Sequence, residues 1–246
     1  MRDERVVDVL LRERTAIVHG AAGAVGSAVA RAFAREGAEV HLTGRTSSSL
    51  EEVADGIREQ GGKARVAVLD VVDREAVERH AGEVAAQGGG IDICFNATGN
   101  DDVQGTPLLD MRVEDVMQPV AKAVTSTLTV ATAAARHMDG GGVILAMGGG
   151  REAIPDLGGS HVAWAALAGL CRQLAAELGP RGIRVAWLLS PGSPDPGEAD
   201  PEADRLLLPR RPSYEQVANA AVYAASDWAA TMTATEINLT GGAVVD

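Results

Sequence analysis

The stretch Thr15–Gly37, TAIVHGAAGAVGSAVARAFAREG, decides the fold. Its first four residues are apolar or β-branched and read as a buried strand ending at His19. The run GAAGAVG follows, and a helical pattern opens at Ala24 and closes on Gly37. Gly20, Gly23 and Gly26 permit a tight turn and a close approach of backbone to a ligand. The free N–H groups and positive end of the helix then face an anion such as a pyrophosphate. A glycine-rich run alone is a weak signal; set between a strand and a helix it becomes informative.

The same alternation continues outward from this unit. Strand candidates follow at Ala38 (AEVHLTG), Ala64 (ARVAVLDV), Ile91 (IDICFNATG), Gly142 (GVILAMG), Ile183 (IRVAWLLSPG) and Thr235 (TEINLTGG). Helical stretches lie between them, several ending in Gly. The expectation is one doubly wound, Rossmann-like α/β domain over residues 1–246, with about seven parallel strands and helices on both faces. At the end of the second strand Gly44, Arg45, Thr46 and Ser47 stand where an NAD site usually places an acid. Arginine pairs with a phosphate and hydroxyls donate to it, so NADP(H) is the expected cofactor.

The bulk properties narrow the class further. Of 246 residues, 46% are hydrophobic and 23% charged, which provides a sizeable core and opposes disorder. The formal net charge of -12 disfavours nonspecific binding to nucleic acid or anionic membranes. Cys94 and Cys171 sit in apolar runs and read as buried free thiols, suited to a reducing cytoplasm, and no metal-ligand spacing occurs. The N-terminus MRDERVVDVLLRER lacks an apolar signal core, and no apolar run approaches the ~20 residues of a membrane span. The stretches 120–138 and 161–179 are apolar nearly all round and predict a homodimer or homotetramer joined through these helices. The alternative is a helix sandwiched inside the monomer. The segment 190–212, rich in Pro, Gly and acids, reads as a long binding loop or lid.

Taken in order, these residues resemble the short-chain dehydrogenase/reductase family over nearly the whole chain. The family's TGxxxGxG stands here as HGAAGAVG, with Ala22 and Val25 inside the turn and Ala24 replacing its second Gly. Asp70 and Val71 match the pair that flanks the adenine. Asn96, Ala97 and Gly99 match the NNAG turn, Pro191 and Gly192 match the PG pair, and the segment from Pro209 onward follows the family's C-terminus. The resemblance implies a seven-stranded sheet, a nicotinamide cofactor and an oligomer.

The resemblance also implies four working residues, Asn, Ser, Tyr and Lys, and here the chain departs from it. Ala123 stands at the Asn. The fifth strand ends in Met147-Gly148-Gly149-Gly150 without a Ser, and the anchoring run AALAGL puts Ser160 at the Tyr and Trp164 at the Lys. The only tyrosines, Tyr214 and Tyr223, lie far downstream. Ser160 and His161 are weak substitutes: a serine hydroxyl is a poor acid, and a sequence neighbour on a helix points about 100° away. Lys122 meets the same geometric objection, and Arg151, Glu152 and Asp156 are loop charges near the expected pocket. Three functions follow: an NADP(H)-dependent oxidoreductase of atypical mechanism on a small organic substrate, a non-catalytic NADP(H)-binding sensor or partner subunit, and a non-redox lyase or isomerase on the same scaffold.

Overall fold

The computed structural model describes residues 9–151, 153–190 and 206–245. Pro191, Gly192, Glu152 and most of the Pro-rich segment lie outside the described residues. The strands are β1 Thr15–His19, β2 Glu39–Gly44, β3 Lys63–Val68, β4 Ile93–Asn96, β5 Gly142–Gly148, β6 Ile183–Leu189 and β7 Thr235–Asn238. The helices are α1 Ala24–Arg35, α2 Ser47–Glu59, α3 Arg74–Gly88, α4 Val113–Ala135, α5 Ser160–Leu178 and α6 Tyr214–Ala225. All strands are parallel, in the order β3-β2-β1-β4-β5-β6-β7. The order reverses between β1 and β4, so a crevice opens above the carboxyl ends of the strands at that point.

Strand alternation divides the core in two. Ala16 and Val18 point toward α1, α2 and α6, where Phe33, Leu50 and Val217 are fully buried. Ile17 points to the other face and joins residues of α3, α4 and α5. Cys94 and Cys171 are free and buried in this second layer, and burial pushes both thiols up to about 12, which leaves them unreactive. Among the described residues no helix is long and apolar enough to cross a membrane.

Several boundaries differ from the sequence expectation. The third strand stops at Val68, so Asp70 and Val71 stand in the loop above the sheet. The fourth begins at Ile93, and the side chain of the preceding Asp92 accepts from Thr15 N–H (2.8 Å) and the Arg14 guanidinium (2.9 Å). The helix expected from about residue 120 begins at Val113 and carries Pro119 inside it. Proline normally interrupts a helix. Here Pro119 is buried against Gly159, where an added Cβ would come within 2.8 Å of the proline ring, so tertiary packing holds the longer helix.

α4 packs between α3 and α5, which covers much of the apolar surface that looked too wide for a monomer. Leu128 and Val162 nevertheless remain exposed on the outer side of this layer.

Candidate active site

The loops at the carboxyl ends of the strands enclose two cavities. The smaller, about 370 Å³, is lined by the turns after β1 (Gly20, Ala22, Gly23), β2 (Gly44, Arg45, Thr46), β3 (Leu69, Asp70, Val71) and β4 (Ala97, Thr98, Gly99), with Ser49, Asp101 and Lys122. The larger, about 640 Å³, lies over β5, β6 and β7, where Met147–Gly150, Trp164, Ser190 and Thr240 form part of its wall.

The glycine turn has a clear steric basis. Gly20 has φ +74°, and a Cβ there would lie 2.7 Å from Ala97 O. A Cβ on Gly26 would lie 2.2 Å from Gly20 O, so the first turn of α1 can rest on the turn only without a side chain. Gly26 therefore lines neither cavity and acts by packing. Gly26→Ala is expected to cost about 1–3 kcal/mol, read as a lowered denaturation midpoint, and to weaken any ligand held by the turn. Gly23 is the N-cap of α1 and no side chain caps it, so the first N–H groups of the helix are left for an anion. Thr46, the N-cap of α2, makes no side-chain cap bond either. Its hydroxyl and the exposed Arg45 flank a second uncapped helix start.

Asn96 is buried beneath the cavity and does not line it. It donates to Thr127 Oγ1 (3.0 Å) and accepts from Thr98 N–H (3.2 Å) and Thr98 Oγ1 (2.7 Å), which fixes the 96–99 turn onto α4. Val25 faces the larger cavity rather than the smaller. Lys122, set aside on sequence spacing, reaches the smaller cavity and pairs with Asp101. The helical offset that removes it from the Ala123 face is what turns it there. Ser49 and Asp101 had no sequence signal, because only the packing of loops from separate strands brings them in.

Beneath the glycine turn lies a buried imidazole group. His19 Nδ1 lies 2.8 Å from Thr43 Oγ1, and the His41 and His80 rings are 6.2 Å apart. Burial first, then the neighbouring His80, lowers His19 to about 3 and His41 to about 4. Burial also lowers His80, against the opposing pull of Glu83.

Ser160 and Trp164 stand one turn apart at the start of α5, as their spacing predicts. Ser160 is buried and its hydroxyl donates to Asp102 Oδ2, which also accepts from Gln104 Nε2 (2.5 Å). Burial works against ionisation of Asp102, but the bonds from Ser160 and Gln104 outweigh it and hold the carboxyl below its ordinary range. Gly105 N–H donates to Asp156 O (2.8 Å), so the loop after β4 is stitched to the loop after β5. The Trp164 indole lies flat against Gly149, where a Cβ would fall 2.0 Å from the ring. His161 lines neither cavity, and its Nδ1 is buried with no hydrogen-bond partner among the described residues. Tyr214 and Tyr223 belong to α6 and line neither cavity. Arg151 pairs with Glu236 (2.7 Å), which ties the loop after β5 to β7.

A parallel sheet with a glycine turn at its switch point, an arginine after β2 and an acid after β3 is the architecture of a Rossmann-like α/β domain. A family model described as enoyl-(acyl carrier protein) reductase matches residues 20–244. The chain is 31% identical to an A-factor type gamma-butyrolactone 1'-reductase of Streptomyces virginiae, over 95% of this chain and 96% of that one. A dehydrogenase/reductase structure from Sinorhizobium meliloti superposes with TM-score 0.88 at 29% identity, covering 97% and 98% of the two chains. A short-chain dehydrogenase from Burkholderia cenocepacia in complex with NADP gives TM-score 0.85 at 27% identity, covering 95% and 99%. The chain belongs to the short-chain dehydrogenase/reductase family.

Proposed function

We propose that this chain is an NADP(H)-dependent oxidoreductase that acts on a small organic substrate without the family's Tyr and Lys. The observation that carries the reading is the smaller cavity, where Arg45, Thr46 and Ser49 meet the glycine turn and Asp70-Val71. The uncapped start of α1 takes the pyrophosphate, with Gly20, Ala22 and Gly23 beside it. Arg45, Thr46 and Ser49 hold the 2′-phosphate, and Asp70 and Val71 flank the adenine. The bound cofactor supplies a hydride. The larger cavity holds the acceptor, and its residues orient that molecule and exclude water. The solved neighbour with NADP bound supports the choice of cofactor. Titration of the purified protein with NADPH and NADH tests the reading: tight NADPH and weak NADH are expected, and binding of neither overturns it.

A second reading, a non-catalytic NADP(H) sensor, has one observation in its favour. Ser160 is committed to Asp102, and the indole of Trp164 covers Gly149 beside the substrate cavity. Substrate-dependent oxidation of NADPH separates the two.

The reading includes a homo-oligomer joined through α4 and α5, where Leu128 and Val162 are exposed. Leu128→Arg is expected to reduce the molar mass seen by light scattering to that of the monomer, with stability changed by less than about 1 kcal/mol. An unchanged mass removes this surface as the contact.

A further inference from the structure

The larger cavity has an unusual chemical inventory. Besides backbone and apolar groups, its described wall offers Gln104, Asp156, Trp164, Ser190, Arg211 and Thr240. None of these side-chain types gives up a proton readily near neutral pH in its usual ionisation state. A ketone taking a hydride needs a proton on its oxygen, and the described lining of this cavity offers no ready donor for it.

What the cavity does offer suits positive charge. Asp156 is in the wall itself, and Gln104, also in the wall, donates to the Asp102 carboxylate, which does not line the cavity. Trp164 presents an indole, held flat because residue 149 has no side chain, and an indole face attracts cations. Arg211 is the cation among the described lining residues, and it is itself engaged in an interaction within the protein. The net charge of -12 favours the approach of cations to the molecule as a whole.

We propose that the substrate is a planar cation with a carbon–nitrogen double bond, an iminium ion, held between the Trp164 indole and the Asp156 carboxylate, with the negatively charged Asp102 bonded to the wall residue Gln104. The inference rests on the NADP(H) reading and narrows its substrate class. The reaction balances without an acid. The iminium carbon gains the hydride, and the C=N π pair becomes the nitrogen lone pair. The dihydronicotinamide is oxidised to the pyridinium, so the positive charge passes from substrate to cofactor and no proton moves.

The test uses the N-methyl dihydroisoquinolinium ion and its neutral counterpart, tetralone. With NADPH-loaded protein the cation is expected to be reduced at least about a hundredfold faster than the ketone, at a rate flat between about pH 6 and 9, as a step without proton transfer requires. With NADP⁺-loaded protein, where no hydride is available, calorimetry is expected to show the cation binding at least about tenfold tighter than tetralone. Asp156→Asn removes most of that preference, and Trp164→Leu weakens the cation while leaving tetralone within about threefold. Should Asp156→Asn fail to fold, Trp164→Leu carries the comparison. Equal affinity for cation and ketone, or faster reduction of the ketone, overturns the inference alone. Failure of NADPH to bind, seen in the separate titration, overturns the cofactor reading beneath it.

Discussion

Arg45→Asp is expected to lower NADPH affinity by about two to three orders of magnitude and to leave NADH affinity within a few-fold. A charge-assisted hydrogen-bonded contact to a phosphate contributes about 1.5–3 kcal/mol, and an aspartate in its place adds repulsion. NADH lacks the 2′-phosphate and gains a carboxylate suited to its ribose hydroxyl. Arg45 is exposed at the uncapped start of α2, so the substitution leaves the core untouched. Parallel titrations of wild type and variant read the ratio directly. An unchanged NADPH constant would remove Arg45 from the site.

The second large effect is a loss of stability in acid. His19 titrates at about 3 and His41 at about 4 in the fold, against 6.5 for an unperturbed histidine. Both are therefore neutral in the folded protein while the unfolded chain protonates them. Their contribution is full above about pH 6.5 and is lost as pH falls toward the folded values. At about pH 5 the loss is about 2 kcal/mol for each, or about 4 kcal/mol together. That is a large part of the 5–15 kcal/mol typical of a domain. Charged neighbours do not reverse the sign. Glu39 lies 3.8 Å from His41 and favours its charged form, but burial and the adjacent His80 and Arg65 outweigh it. Denaturant titrations at several pH values measure the slope. His19→Thr is expected to flatten it by about one proton. A slope unchanged by that substitution would show that His19 is not the group responsible. Because His19 immediately precedes Gly20, the same protonation is expected to loosen the turn proposed to hold the cofactor.

Much of this protein was legible from its sequence because the signals are local. Strand and helix period, the glycine turn after β1 and the residues ending β2 and β3 depend on neighbours within a few positions. The fold brings Gly20, Arg45, Asp70 and Ala97 together around one cavity. The four-residue spacing of Ser160 and Trp164 likewise brought them together at the start of α5. The misplacements came where a side chain's direction depends on distant packing. Asn96 turned inward to hold Thr127, Val25 faced the other cavity, and Lys122 reached the smaller one.

By itself, then, the sequence determined the doubly wound sheet, the turn at its switch point and the chemical inventory of the chain, including two tyrosines far from the helix that begins at Ser160. The tertiary structure alone decided that Asp102 would take Ser160 and Gln104, that Trp164 would lie on Gly149, and that the buried His19 and His41 would neighbour the half-buried His80. The physical reason is range. Backbone periodicity is written in adjacent residues, whereas the charge and shape of a pocket are set by loops from strands far apart in the chain.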